Sequence, residues 1–369
     1  MGMREMVKIG IVYILILIII ITHLSSIDLV YTLPPHSIDN MAETYAYVIE
    51  IEIGGSITNL GKEPVKVNET DLLVYDYPYN TSSQEVVYAE LYYNNESIPY
   101  RVRESGDNYV LEPAINISDL IDVNDTAYSK VVYRVNVFID KRRSEIADLS
   151  FDRAGSWDEL PEDEELTNAT GLWNYTNPLI RMFYKYIMRR KSSTPLHYLA
   201  NLLDWVDSNV RYKTRVPPRH PWEVVLRRRG DCDDQANLIV TLLRAAGIPS
   251  FIETGMVYVS KDFRSSGEAG DGMLKYTFIG GGAHGWLVAY IPPWGYLRVD
   301  LTLARGKPGD LESMLNHIRN AAYYSYMFPT VVMGQVKKGD YAEEGTKFIE
   351  SIKEEKLKYY IYVKVRRIS

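Results

Sequence analysis

Residues 230–249 read Gly-Asp-Cys-Asp-Asp-Gln-Ala-Asn-Leu-Ile-Val-Thr-Leu-Leu-Arg-Ala-Ala-Gly-Ile-Pro. Leu238, Leu242 and Ala245 recur at helical spacing, and Gly247 followed by Pro249 is a stop signal, so this stretch predicts a helix. Asp231 is a good N-cap, and Asp234, three residues on, can reach back to close a capping box. Cys232 then falls at the first helical position. Free N–H groups and the positive end of the helix dipole favour thiolate there, whereas the flanking Asp231, Asp233 and Asp234 oppose it, so a cationic partner is required. Cys232 is the single cysteine of the chain, which excludes an internal disulfide and a cysteine-based zinc site.

Downstream, extended runs at 251–259, 284–290 and 295–302 predict a sheet. If Ile291-Pro292-Pro293 is a three-residue loop, Tyr290 pairs with Trp294 and His284 lies opposite Asp300, about 5 Å away. Asp300 would orient the imidazole, and His284 would draw the proton from Cys232. A slip of one residue would turn Asp300 to the other face. The glycine-rich stretch 267–282 lacks the Lys-Ser/Thr ending of a phosphate-binding loop and reads as a mobile loop crowding the approach to His284.

The string from Gly230 to Ser250, the later Ala283-His284-Gly285-Trp286 and an aspartate sixteen residues beyond the histidine resemble the transglutaminase-like superfamily. Trp205, Val210-Arg211-Tyr212 and Trp222-Glu-Val-Val-Leu also resemble its approach to the nucleophile. The resemblance covers about residues 195–302 and implies an α+β, papain-like core. It implies thiol chemistry on amides, with Cys232, His284 and Asp300 as the Cys-His-Asp triad, an acyl-enzyme intermediate, and no cofactor or metal. Phe251 stands where many members have a basic residue. The Cys232 backbone N–H is expected in the oxyanion hole, whose side-chain donor the sequence does not identify. Trp222 and Trp286 are candidate substrate-binding walls, although core packing is the expectation for at least two of Trp222, Trp286 and Trp294. His197, His220 and His317 have no ligand spacing between them.

Outward from this core the chain changes character. Of its 369 residues, 46% are hydrophobic and 24% charged, which excludes wholesale disorder, collagen and coiled coil. Residues 28–176 carry 28 acidic and 10 basic side chains, residues 177–369 carry 19 and 29, so two units are expected. The first alternates from Tyr45 through Ile53, with further short extended runs to residue 139, predicting an all-β sandwich. Asn-x-Ser/Thr acceptors at Asn68, Asn80, Asn95, Asn116, Asn124, Asn168 and Asn174 all fall in this acidic part. The second carries helices: Leu179, Met182, Phe183, Tyr186 and Ile187 mark one face, and Leu196 to Val210 mark the next helix.

Ile9–Ile27 has no charged side chain and follows Arg4 and Lys8; nineteen residues are enough to span a bilayer. A signal anchor with the N-terminus inside is expected, with a cleaved signal peptide as the alternative. The expected organisation is a cytoplasmic N-terminus 1–8, a transmembrane helix 9–27, a linker 28–42, a β-sandwich 43–140, an exposed acidic connector 141–176, and a catalytic domain 177–369 with a C-terminal α/β extension. The functional expectation is a membrane-anchored, extracytoplasmic enzyme on protein or peptide-containing envelope substrates, hydrolysing more than cross-linking, with the membrane but no nucleic acid as partner. The alternative is a non-catalytic surface binding or scaffolding module.

Overall fold

The computed structural model describes residues 46–138, 145–146, 148–188, 192–303, 306–323 and 328–368. The expected anchor at 9–27 lies outside them. Among the described residues no helix is long and apolar enough to cross a membrane.

The strands that build the two main sheets are β1 (Ala46–Asn59), β2 (Gln84–Tyr93), β3 (Glu96–Ile98), β4 (Thr126–Phe138), β5 (Ser250–Tyr258), β6 (Arg264–Ala269), β7 (Leu274–Ile279), β8 (Gly281–Ile291), β9 (Gly295–Val299), β10 (Thr330–Val336) and β11 (Leu357–Arg367). The longer helices are α1 (Pro178–Met188), α2 (Pro195–Asn209), α3 (Pro221–Arg227), α4 (Cys232–Ala245) and α5 (Tyr341–Glu354). A seven-stranded sheet runs β6-β7-β11-β1-β4-β2-β3, and a four-stranded sheet runs β9-β8-β5-β10.

The large sheet explains the alternating N-terminal pattern. Ile49, Ile51, Ile53 and Ile57 of β1 and Val131, Tyr133, Val135 and Val137 of β4 point into one core. A small sheet of Tyr75–Asp76, Asn108–Pro113 and Tyr100–Ser105 packs over it, tied by Tyr133 Oη donating to Asp76 O at 2.8 Å. The N-terminal part is β-rich, as expected, but its large sheet does not end near residue 140. The central partner of β1 is β11 at the other end of the chain, paired from Ile49 with Arg367 to Asn59 with Leu357. The last strand therefore completes the first domain's sheet, because Tyr359, Val363 and Val365 bury on its apolar face.

The glycine-rich segment is also corrected. Instead of a loop it is the β6-β7 hairpin, which extends the large sheet through parallel pairing of β7 with β11. The period-2 pattern of Leu274, Tyr276 and Phe278, all buried, wins over the glycines. Gly270 and Gly272, both with positive φ, supply its turn. The acidic connector is likewise packed: Leu149, Leu172 and Trp173 are buried among the helices, Leu166 against the four-stranded sheet, and Trp173 Nε1 donates to Asn237 Oδ1 of α4 at 2.9 Å. In α1 the buried face is Ile180, Phe183 and Ile187, while Met182 and Tyr186 are exposed.

The four-stranded sheet is the middle layer. One face, with Ile252, Leu287, Ala289, Leu297 and Val299, packs on α4 and α2. The other face, with Phe251, Trp286 and Val288, joins Leu166 and Val332. Arg244, fully buried near the end of α4, fastens the layers by donating to Ser250 O, Asn168 O and Lys337 O at 2.8–3.1 Å.

Candidate active site

The nucleophile candidate stands where the sequence placed it. α4 begins at Cys232, and Asp231 and Asp234 form the reciprocal capping box. Asp231 is also held from outside by the Arg215 backbone N–H at 3.0 Å. Asp234 receives the Arg219 backbone N–H at 2.6 Å and its guanidinium at 2.5 Å. The loop 213–220 thus clamps the helix start, and Arg219, absent from the sequence reading, is its buried counter-ion.

β8 and β9 carry the other two residues in a register shifted by two from expectation. Tyr290 pairs with Tyr296, not Trp294, because Pro292-Pro293-Trp294 is the loop and Gly295 takes its positive φ beside it. An even shift preserves the face, so the inference survives: His284 Nε2 and Asp300 Oδ2 hydrogen-bond diagonally past the end of the β9 ladder. The second carboxylate oxygen, Asp300 Oδ1, accepts the backbone N–H groups of Thr302 at 2.6 Å and Leu303 at 2.9 Å. The carboxylate is therefore fixed in one orientation.

His284 has only one of its two nitrogens engaged: Nδ1 is buried and has no hydrogen-bond partner. Gly255 lies across from it on β5. A Cβ there would fall 2.3 Å from Val331 O and 2.9 Å from the Trp286 ring, so only glycine lets these strands close around the histidine. The next backbone N–H, that of Gly285, donates to the Cys232 sulfur. The start of α4 and the His284 strand therefore meet at the thiol.

Electrostatics correct one expectation. Burial, followed by the charges of Asp233 and Asp231, pushes the Cys232 thiol well above its ordinary range, against the Gly285 N–H that lowers it. The helix N-terminus does not prevail, because the sulfur is desolvated and faces carboxyls. Burial likewise raises Asp231, Asp233 and Asp234, Asp233 to about 7. Their oxygens lie within 4.8 Å of one another, the set among the described residues that could hold a cation. Cys232, His284 and Asp300 are 2%, 0% and 2% exposed, so the site is covered.

Of the two expected substrate-binding tryptophans, Trp222 is partly exposed on α3. Trp286 is buried: its ring stands 5.7 Å from that of His284 and its Nε1 donates to Glu253 at 2.9 Å. It packs the histidine instead of walling an open groove. A cavity of about 560 Å³ opens on the same sheet face, lined by Phe251, Glu253, Tyr296 and Arg298, but by none of the three triad candidates.

His317, which the sequence marked only as lacking ligand spacing, lies in the four-residue helix Asn316–Arg319. Its Nδ1 donates to Asp300 O at 2.8 Å, and Asp300 N–H donates back to His317 O at 3.0 Å. It holds the backbone of the residue whose side chain holds His284.

Residues 183–301 match the family model described as the transglutaminase-like superfamily. A solved structure from Cytophaga hutchinsonii, named as a candidate cysteine protease, is similar over 88% of this chain and 92% of its own, at 14% identity and a TM-score of 0.50. Red sea bream transglutaminase matches 73% of this chain and 49% of its own at 12% identity, and a protease candidate from Parabacteroides distasonis 67% and 45% at 13%. Their TM-scores, 0.27 and 0.22, carry no argument about the fold. A search of the curated proteins found no match.

Proposed function

We propose that this chain, a transglutaminase-like superfamily member through the core at residues 183–301, is a cysteine enzyme acting on amide bonds through a thioester acyl-enzyme. Cys232 is the nucleophile, His284 the general base and then the general acid, and Asp300 the residue that orients the imidazole. The observation that carries this reading is the half-satisfied His284. Nε2 is committed to Asp300, while the buried Nδ1 remains open, on the strand whose next N–H meets the sulfur. A buried ring nitrogen with no partner is disfavoured unless chemistry uses it.

The raised thiol sets the order of events. Cys232 rests protonated, so its proton moves to His284 as sulfur attacks the carbonyl carbon, in place of a preformed thiolate–imidazolium pair. We assign hydrolysis over cross-linking because water suffices as acceptor. We also place the enzyme outside the membrane on the anchor expected at 9–27, with protein or peptide-containing envelope material as substrate. The buried site gives the scaffolding alternative its one support.

The test is acyl-enzyme trapping. The full-length protein is incubated with carboxamide-bearing peptides and quenched in acid, and the mass added at Cys232 is read, with ammonia release and amine incorporation followed in parallel. An adduct on the wild type, absent from Cys232→Ala and strongly reduced in His284→Ala, is expected. Absence of any adduct across amide, ester and thioester substrates would leave the scaffolding alternative.

A further inference from the structure

The side-chain donor of the oxyanion hole, which the sequence left unidentified, has a candidate in Tyr212. Its backbone is fixed beside the nucleophile: Arg211 and Tyr212 pair in parallel with Arg229 and Gly230, and Lys213 N–H donates to Gly230 O at 3.1 Å. The residue that follows Gly230-Asp231 is Cys232. The ring packs with Phe263, Leu303 and Phe328 around Val257, so the ring is anchored and only the hydroxyl is uncommitted. That hydroxyl is buried and has no hydrogen-bond partner.

The location of the hydroxyl follows from what acts on it. Tyr212 pairs with Gly230, two residues before Cys232, and after desolvation the charges its hydroxyl feels are those of Cys232, Asp231, Asp233 and Asp300. Burial and those charges hold the phenol well above its ordinary range, so it remains protonated and can only lend a hydrogen bond. No carboxyl accepts its proton. A buried donor fixed beside a nucleophile and left unpaired is satisfied when an acceptor arrives with the substrate.

We propose that the Tyr212 O–H is the side-chain donor of the oxyanion hole, hydrogen-bonding the substrate carbonyl oxygen as negative charge develops on it. The inference rests on Cys232 being the nucleophile. As the thiol proton passes to His284 Nδ1, the sulfur bonds to the carbonyl carbon and the carbonyl π pair moves onto oxygen, where Tyr212 and the Cys232 backbone N–H meet it. When that pair returns, the carbon-to-leaving-group bond breaks and the leaving group departs with the proton from His284. Tyr212 donates a hydrogen bond throughout and keeps its proton.

Two probes separate this role from any other. p-Nitrophenyl acetate acylates a thiol through an oxyanion, whereas iodoacetamide alkylates it by displacement at a saturated carbon and forms none. Both rates are measured at Cys232 on the full-length wild type and Tyr212→Phe. The expected result is an acylation rate lower by about 10²–10³-fold with alkylation within about twofold, and a melting temperature that does not fall, because the lost hydroxyl was unpaired. Both rates come from the same folded thiol, so their ratio is insensitive to any loss of folded protein. Equal falls in both rates would show that Tyr212 acts on the sulfur, and no change in either would show that the ring only packs; both overturn the proposal. If neither probe modifies Cys232 in the wild type, the nucleophile reading itself fails, and this inference with it.

Discussion

His284 and His317 are both fully buried, and both meet a carboxylate through Nε2, Asp300 in one case and Asp207 at 2.8 Å in the other. The difference is at the second nitrogen. His317 Nδ1 donates to Asp300 O, and the Gly306 N–H points at its Nε2 at 3.1 Å, so the ring is saturated with partners. His284 Nδ1 has none. Two histidine–aspartate pairs in one core are therefore built differently: one ring is fully partnered and fastens the chain, the other leaves a buried nitrogen open, as the proposed proton transfer requires. They also share a residue, since the Asp300 backbone belongs to His317 and its side chain to His284.

The largest effects expected are those that separate the two rings. His284→Ala should lower acylation of Cys232 by about 10³–10⁴-fold, approaching Cys232→Ala, because the members of such a unit fail together. Its melting temperature should change far less than that of His317→Ala, which strips a buried hydrogen-bond network and should cost about 2–4 kcal/mol. Equal stability losses for the two variants would break the distinction. Asp300→Asn comes next. The amide oxygen can still accept from Thr302 and Leu303, and the His317 clamp on the backbone is untouched, so the fold should hold while acylation drops by about 10³-fold from loss of ring orientation. Acylation and thermal melts on one preparation check both.

Asp233→Asn probes the charge acting on the Cys232 thiol. The Asp233 carboxyl titrates near about 7 because it is buried, and its charge is the first contributor after burial to the raised Cys232 thiol. Below about pH 6 the wild-type carboxyl is neutral, so variant and wild type should alkylate alike; above about pH 7.5 the variant should react several-fold faster. Stability should follow the same sign. A carboxyl raised in the folded state favours folding while protonated, and that contribution is lost as pH climbs from the ordinary carboxylate range through about 7. The variant should lack this decline. An alkylation ratio independent of pH would remove Asp233 from the account.

What the sequence disclosed follows from how local each signal is. The α4 start was legible because cap, cysteine and stop signal lie within twenty residues. The His284–Asp300 pairing was legible despite a wrong register, because a two-residue error keeps side-chain parity. The β1–β11 pairing was not, since no local pattern says that residue 49 meets residue 367. Nor were Tyr212 and His317, whose meaning lies in which polar atoms have partners. The Cys232 thiol was legible only in part for a related reason: the helix dipole and the opposing carboxyls are visible in sequence, whereas desolvation is a property of the packed molecule.

The smallest effect tests the fastening pair alone. Asp207 belongs to α2, and its carboxylate, 19% exposed, joins that helix to the short helix Asn316–Arg319, whose His317 holds the Asp300 backbone. Partial solvation limits what one such bond contributes, so Asp207→Asn should cost about 1–2 kcal/mol in a urea melt. Its amide can still accept or donate toward His317, and the His317 Nδ1 bond to Asp300 O stays in place, so Cys232 acylation should stay within about threefold of wild type. The carboxylate-to-amide change is the same at Asp207 and Asp300, and both pairs are buried at the ring. If Asp207→Asn instead reduced acylation as deeply as Asp300→Asn while leaving the melt unchanged, His317 would be part of the proton path and the division between a fastening and a reacting histidine would be wrong.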